Sequence, residues 1–140
     1  MTDDIVIGDY TIKIDRKYMP THEWVKDLGD GKYKIGISDF AQKSLHEITY
    51  VQFEEEDTEF EQKEVLLTVE AIKASGDIYA PFKLKLLENN DVLEDEPEKI
   101  NESPYEDGWL AKFEAVELDE SLLITAEEYK TVVEKELEDL

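Results

Sequence analysis

The sequence predicts a mainly β protein that ends in one helix. Apolar and polar residues alternate over short segments, and turn-forming residues separate these segments, a pattern typical of strands. Near the end of the chain, Thr125 and Glu128 form a capping-box pair ahead of an apolar stripe at helical spacing, which predicts a helix. We expect a single domain over all 140 residues, because no repeat or domain boundary interrupts the chain.

The first half of the chain predicts strands around one short helix. Apolar residues at alternate positions on both sides of Gly8-Asp9 predict an N-terminal hairpin, and Ser38 is a good N-cap for a later helix. In order, we expect the hairpin over residues 5–14, strands over 22–25 and 32–37, the short helix from Ser38, and a strand over 48–53.

The second half predicts further strands, two charged loops and the final helix. The acidic connection over 54–64 is expected to be a solvated loop, and residues 91–108 a loop with one helical turn at Pro97. Strands are expected over residues 65–72, 75–81, 83–90 and 108–116. The apolar stripe of the final helix consists of Tyr129, Val132, Val133, Leu137 and Leu140.

The composition excludes several classes of partner. A formal net charge of −22, from 37 acidic and 15 basic residues, argues against binding to nucleic acid or to an anionic membrane. No apolar run approaches the length of a membrane span, and the acidic start resembles neither a signal nor a transit peptide. Without cysteine the chain has no disulfide and no thiolate metal site, which fits a reducing compartment. We therefore expect a cytoplasmic protein, and a monomer.

Signatures of an enzyme are missing from the sequence. His22 and His46 are each followed by glutamate, but neither has a second histidine at the spacing of metal ligands. The chain has no glycine-rich phosphate loop and no nucleophile elbow. We expect no active site and no metal site of the protein's own.

Lys73 stands out because of its surroundings. From Val65 to Phe82 only three of 18 residues are charged, and Lys73 lies where two predicted strands meet. A lysine at a hairpin tip projects into water, so its pKa is not lowered by burial and it would be a poor catalyst. Its small neighbours leave it open to acylation. From these residues alone, two interpretations of Lys73 remain: a lysine that is acylated and an ordinary turn lysine.

The segment EAIKASGDIYAP around Lys73 resembles the lipoyl-lysine hairpin of the glycine cleavage system H-protein family. Other matches occur in the same order: YMPTHEWV, GISDFAQKSL, ITYVQF, NESPYEDGWLAKF and DESLLITAEEY. The similarity covers residues 17–137 and leaves an extra hairpin within residues 1–16. It implies a lipoyl/biotinyl-type barrel-sandwich hybrid with short helices and a C-terminal helix.

The resemblance implies a carrier rather than a catalyst. In that family the lysine carries lipoate in amide linkage, so Lys73 is the expected attachment site. Glycine decarboxylase, a pyridoxal-phosphate enzyme, loads an aminomethyl group onto the lipoyl arm, and aminomethyltransferase removes it. Dihydrolipoamide dehydrogenase then reoxidises the arm, and a separate lipoate-attaching enzyme installs it. The cofactor supplies the sulfur chemistry, while the protein supplies tether, recognition and shelter.

Residues beside Lys73 are expected to serve attachment. Glu70 matches an acidic residue that the attaching enzyme commonly uses. The small residues Ala74 and Gly76 would permit a tight turn and the close approach of another backbone, and we expect Gly76 to adopt an angle that a Cβ disfavours.

Four more residues match positions around the docked arm in this family. Glu23 and Asp77 are acidic and could pair with the amine of the loaded arm. Thr21 and Phe40 match neighbouring positions, with Phe40 standing where histidine or tyrosine is expected. The resemblance therefore predicts that these four residues shelter the arm.

The sequence also departs from the family pattern in the turns. Glycine is expected at the positions of His46, Asp57, Lys63 and Leu84, and proline at Glu54. These departures leave open an H-like protein that relays lipoate to other complexes. A plain acidic interaction module without a prosthetic group also stays open. A biotin carrier is disfavoured, because biotin domains have methionines on both sides of the lysine.

Overall fold

The computed structural model describes residues 3–139, so Leu140 of the predicted apolar stripe lies outside the described residues. The strands are β1 (Ile5–Ile7), β2 (Tyr10–Ile12), β3 (Lys17–Tyr18), β4 (Glu23–Gly29), β5 (Lys32–Ile37), β6 (Ile48–Gln52), β7 (Glu59–Phe60), β8 (Val65–Ala71), β9 (Ser75–Tyr79), β10 (Lys83–Asn89) and β11 (Ala111–Glu117). The helices are α1 (Asp39–Leu45), α2 (Val92–Asp95), α3 (Lys99–Glu102) and α4 (Ala126–Glu138), with a 3-10 turn at Glu120–Leu122.

Two antiparallel sheets form the body of the protein. The larger sheet has the strand order β3-β4-β5-β11-β10-β7, and the smaller sheet has the order β6-β8-β9. Strands β1 and β2 form a separate two-stranded hairpin, as the alternation around Gly8 predicts. The mainly β architecture with a C-terminal helix is therefore confirmed.

The main core lies between the two sheets. Strands of the larger sheet contribute Ile35, Leu84 and Phe113, and strands of the smaller sheet contribute Leu66 and Val69, all with no exposed surface. Because side chains alternate along a strand, the polar residues between these positions point away from the core. Fully burying each large apolar side chain contributes roughly 1.5–3 kcal/mol before conformational entropy is subtracted.

A second apolar cluster joins the N-terminal hairpin, the larger sheet and α4. Its fully buried members include Tyr18 of β3, Trp24 of β4 and Tyr129 and Val133 of α4. The rings of Tyr18 and Tyr129 stack with centroids 4.5 Å apart. Thr125 caps α4 and the capping box with Glu128 is complete, as the sequence predicts. The final helix is thus docked on the sheet, and strand β1 of the hairpin packs against it.

The structure differs from the sequence-based prediction in three short segments. The connection over 54–64 contains β7, which pairs with β10 through Phe60 and Glu59 and is therefore more than a loop. Residues 91–108 contain two four-residue helices, α2 and α3, where one helical turn is predicted. Strand β3 is absent from the prediction. Two-residue strands have too few residues for alternation to show, so only their partner strands define them.

Between residues 3 and 139, no helix combines the length and the apolar character needed to cross a membrane.

Candidate functional site

Lys73 lies at the tip of the hairpin formed by β8 and β9. The two strands pair through Glu70 and Ser75, and the N–H of Ala71 donates to the carbonyl of Ala74 at 2.8 Å. This bond closes a tight turn that presents Ile72, Lys73 and Ala74 to solvent. Among residues 3–139, no carboxylate lies within ion-pair distance of the Lys73 ammonium. The side chain is therefore open to a modifying enzyme.

The residues predicted to assist attachment surround this turn, but one predicted reason is wrong. Glu70 is half-buried at the end of β8, and Ala74 is exposed beside the lysine. Gly76 lies in β9 with ordinary strand geometry, so the expected special backbone angle is not found. A Cβ at Gly76 would lie 3.6 Å from Cδ1 of Leu45, an ordinary van der Waals distance. Gly76 instead leaves room on the side of the hairpin that faces α1.

A cavity of about 200 Å³ lies in that space, between the hairpin, α1 and α4. Four of the predicted site residues line it: Thr21, Phe40, Gly76 and Asp77. The remaining wall residues are Ile37, Ala41, Leu45, Ile78, His22, Ser44 and Glu136. The lining is therefore largely apolar, with a few polar groups at defined points, as is typical of a binding site.

A second recess lies beside Lys73 and shares one wall residue with this cavity. It has a volume of about 260 Å³ and is lined by Leu45, His46, Glu47, Ile72 and Lys73 itself. Leu45 at the end of α1 lines both spaces. Leu45 therefore separates the recess at Lys73 from the cavity.

Glu23 does not line the cavity, unlike the other residues predicted to shelter the arm. Its side chain is fully buried, and one carboxylate oxygen accepts the N–H of Tyr79 at 2.9 Å. The other oxygen accepts a hydrogen bond from the Thr21 hydroxyl, which does line the cavity. Burial raises the pKa of Glu23, although these two bonds favour its charged form. Glu23 thus links β4 to β9 and lies behind Thr21.

Sequence reasoning missed a hydrogen-bonded group on the opposite wall. His22 contacts the Tyr129 hydroxyl through Nδ1 at 2.7 Å and the Glu136 carboxylate through Nε2 at 2.6 Å. The Tyr129 hydroxyl also lies 2.5 Å from Oγ of Ser38. Burial lowers the pKa of His22, and Glu136 opposes that shift. One signal was available, because Tyr129 and Glu136 are seven residues apart and so share one face of α4.

Three of the residues that stand where the family has glycine adopt backbone angles that favour glycine. His46, Asp57 and Lys63 have φ angles of 66°, 70° and 74°. The turns therefore keep left-handed geometry although a side chain is present. Leu84 differs, because it is fully buried in β10 and pairs with Phe60, so the expectation that it lies in a turn is wrong.

Comparison with known proteins agrees with this geometry. Residues 16–136 match the family model described as glycine cleavage H-protein. The chain is 42% identical over 132 residues to the probable glycine cleavage system H protein of Thermococcus gammatolerans, covering 93% of this chain and 98% of that protein. It is 45% identical over 121 residues to the glycine cleavage system H protein of Vibrio atlanticus, covering 86% of this chain and 96% of the other.

A solved structure shows the same arrangement of strands. The crystal structure of a glycine cleavage system H protein from Mycobacterium marinum superimposes with a TM-score of 0.79 at 31% sequence identity. The match covers 86% of this chain and 97% of that chain. The fold is thus the barrel-sandwich hybrid with a C-terminal helix, and the chain belongs to the glycine cleavage H-protein family.

Proposed function

We propose that this protein is the lipoylated shuttle of a glycine cleavage system, with lipoate in amide linkage to Nζ of Lys73. The observation that supports this most directly is the exposed Lys73 at the tip of a tight hairpin, with a recess beside it and a cavity on the other side of Leu45. Lipoate would supply a dithiolane that carries an aminomethyl group between enzymes. The protein itself is a carrier and not the catalyst.

The residues present fit such an arm. Lys73 is accessible for attachment, Gly76 leaves space beside the hairpin, and the apolar Leu45 lines both the recess and the cavity. Phe40 and Ile78 offer apolar surface that excludes water, which strengthens any ion pair formed inside.

Asp77 is one of the residues around the cavity on the hairpin side, and we propose that its carboxylate pairs with the amine of the loaded arm. Its Oδ1 accepts a hydrogen bond from the Thr68 hydroxyl at 3.1 Å, which orients the carboxylate. Glu23 contributes from behind, because it holds the Thr21 hydroxyl in the cavity wall through a hydrogen bond. This division of roles replaces the expectation that Glu23 and Asp77 both line the shelter.

The proposed partners are glycine decarboxylase, aminomethyltransferase, dihydrolipoamide dehydrogenase and a lipoate-attaching enzyme. Each must reach Lys73 in turn, and the exposed tip of the β8–β9 hairpin allows that. We propose the cytoplasm as the compartment, since a chain without cysteine suits reducing conditions.

Mass spectrometry after incubation with a lipoate-attaching enzyme tests the attachment site. We expect one lipoyl increment on the wild type and none on Lys73→Arg. Lys63→Arg is the matched control, because Lys63 is also an exposed lysine in a tight turn and should leave the increment unchanged. Lipoyl label on a lysine other than Lys73 would refute the assignment. Modification removes one positive charge, so the formal net charge should change from −22 to −23.

Reconstitution distinguishes glycine cleavage from lipoate relay. Lipoylated protein should support exchange between bicarbonate and the carboxyl group of glycine when mixed with glycine decarboxylase. A relay protein would instead donate its lipoyl group to an acceptor domain and give no exchange. Absence of exchange with a fully lipoylated sample would therefore contradict the shuttle.

A further inference from the structure

Three lysines oppose one another on the outer face of the larger sheet. Lys26 of β4 pairs directly with Lys34 of β5, and Lys34 pairs directly with Lys112 of β11. Their neighbours Val25 and Ile35 point into the core, so the lysines point away from it. Like charges directly opposite each other destabilise a sheet. We call these three residues the lysine row.

The next row of the same face shows that this crowding is a local feature. There Lys32 of β5 faces Glu114 of β11, which faces Lys85 of β10, which faces Glu59 of β7. The sign of the charge alternates at every strand, the arrangement that stabilises a sheet. The lysine row breaks this rule in a protein of net charge −22, where acidic partners are abundant.

The carboxylates around the lysine row leave its centre without an ion pair. Lys26 lies 3.4 Å from Asp15, and Lys112 lies 3.7 Å from Glu88. Within residues 3–139, the Lys34 ammonium has no carboxylate at ion-pair distance and no hydrogen-bond acceptor. Partial burial and then the charges of Lys112 and Lys26 lower the pKa of Lys34, and Glu106 opposes them.

An aromatic ring completes the surface. The half-buried Trp109 lies beside the row, with Nζ of Lys112 at 4.8 Å and Nζ of Lys34 at 5.5 Å from the ring centroid. Contact with the ring face holds both ammonium groups close together. Tryptophan is among the residues enriched at protein interfaces, so the ring adds an apolar contact beside the three charges.

We propose that the lysine row and Trp109 form a docking surface for an acidic segment of a partner protein. Neighbouring strands are about 4.8 Å apart, so the row extends roughly 10 Å and can meet two or three carboxylates of one short segment. Bound carboxylates relieve the repulsion within the row and supply the ion pair that Lys34 lacks. A second copy of this chain is a poor occupant, because two molecules of net charge −22 repel each other.

The surface lies apart from the β8–β9 hairpin. The hairpin belongs to the smaller sheet, whereas the lysine row lies on the face of the larger sheet that points away from the core between the two sheets. A partner can therefore hold this surface while Lys73 stays accessible. The proposal does not depend on modification of Lys73.

Titration of the isotope-labelled full chain with a capped hexaglutamate peptide tests the proposal by NMR. The salt should be about 0.1 M, where the Debye length of roughly 10 Å screens distant carboxylates more than contacts. We expect shifts centred on the amides of Lys34 and Lys112 and on the Trp109 indole N–H. Lys34→Gln should weaken binding roughly fivefold or more, and Lys32→Gln, which removes the same charge from the alternating row, should change it less than about twofold.

Thermal unfolding of the same two variants supplies an independent readout. Lys34→Gln removes repulsion and should raise the melting temperature relative to Lys32→Gln, which removes an attraction. Equal melting temperatures would overturn the premise that the lysine row is strained.

Three other outcomes would overturn the proposal itself. The first is no shift at the lysine row with the peptide. The second is inorganic phosphate that binds there as tightly as the peptide, which indicates a small-anion site. The third is self-association in sedimentation that Lys34→Gln abolishes, which indicates contact between copies of this chain.

Discussion

Replacing His46 by glycine should stabilise the fold, because His46 holds a backbone conformation that side chains disfavour. Its φ and ψ angles are 66° and −144°, close to the region that essentially only glycine populates. Such a conformation costs about 1–3 kcal/mol, while the added freedom of glycine in the unfolded chain costs roughly 0.5–1 kcal/mol. The net expectation is a gain of about 0–2.5 kcal/mol, centred near 1 kcal/mol.

The native contacts of His46 should survive this change. Its N–H donates to the carbonyl of Gln42 at 3.0 Å, and its carbonyl accepts from Nδ2 of Asn101 at 2.7 Å. Both contacts use the backbone, so glycine keeps them. The imidazole is exposed and makes no hydrogen bond among residues 3–139 that the change would remove.

Urea unfolding measures the gain. His46→Ala is the matched control, since alanine removes the imidazole but keeps a Cβ and thus the strain. For a chain of this size, a gain of 1 kcal/mol corresponds to a rise in melting temperature of roughly 3–5 °C. Lys63→Gly should give a smaller gain and Asp57→Gly the smallest, because aspartate tolerates left-handed geometry better than lysine does. Equal gains from His46→Ala and His46→Gly would refute the argument from backbone strain.

Three further predictions concern attachment, packing and shelter. Glu70→Gln should slow lipoylation by about tenfold, equivalent to 1.4 kcal/mol, with the melting temperature unchanged; a normal rate would exclude recognition through this charge. Deleting all residues after Ala126 should lower the free energy of unfolding by several kcal/mol, since burial of Tyr129 and of Val133 contributes roughly 1.5–3 kcal/mol each. In the intact protein, amides over 126–137 should exchange slowly with solvent. Rapid exchange there would contradict docking of α4. Protein loaded with the aminomethyl group should release formaldehyde slowly, and Asp77→Asn should accelerate that release roughly tenfold. The control Asp91→Asn, on a distant loop, should not change the rate. Identical rates for all three proteins would leave Asp77 without a sheltering role.

In the N-terminal hairpin, the local sequence pattern predicts the strands, whereas tertiary contacts determine where they pack. Alternation around Gly8 predicts both strands, and the structure confirms β1 and β2. The alternation does not predict where this hairpin packs, which follows from contacts with α1, α4 and the loop that holds Tyr105. There, the Thr11 N–H donates to Asp39 at 3.0 Å and the Tyr105 hydroxyl donates to the Thr11 carbonyl at 2.6 Å. Contacts of this kind join residues far apart in the chain.

The candidate site divides in the same way. Lys73 could be singled out from local sequence, because the low charge around it and its place between two strands are properties of neighbouring residues. The burial of Glu23 could not be predicted from local sequence, because its carboxylate bonds to the N–H of Tyr79, which is 56 positions away in the other sheet. The special backbone angle expected for Gly76 was wrong, because its backbone has ordinary strand geometry. The glycine instead leaves space beside Leu45 of α1, a neighbour that only the tertiary structure supplies.

The sequence by itself determined the elements whose signals are local: the period-2 strands, the capping box at Thr125 and the exposed lysine between β8 and β9. Only the tertiary structure decided the cavity beside that lysine, the bond between His22 and Tyr129 across 107 positions, and the meeting of three lysines on one sheet face. The physical reason is strand register. Period-2 alternation shows which residues share a face, but which of them oppose one another is fixed only when strands from distant parts of the chain pair.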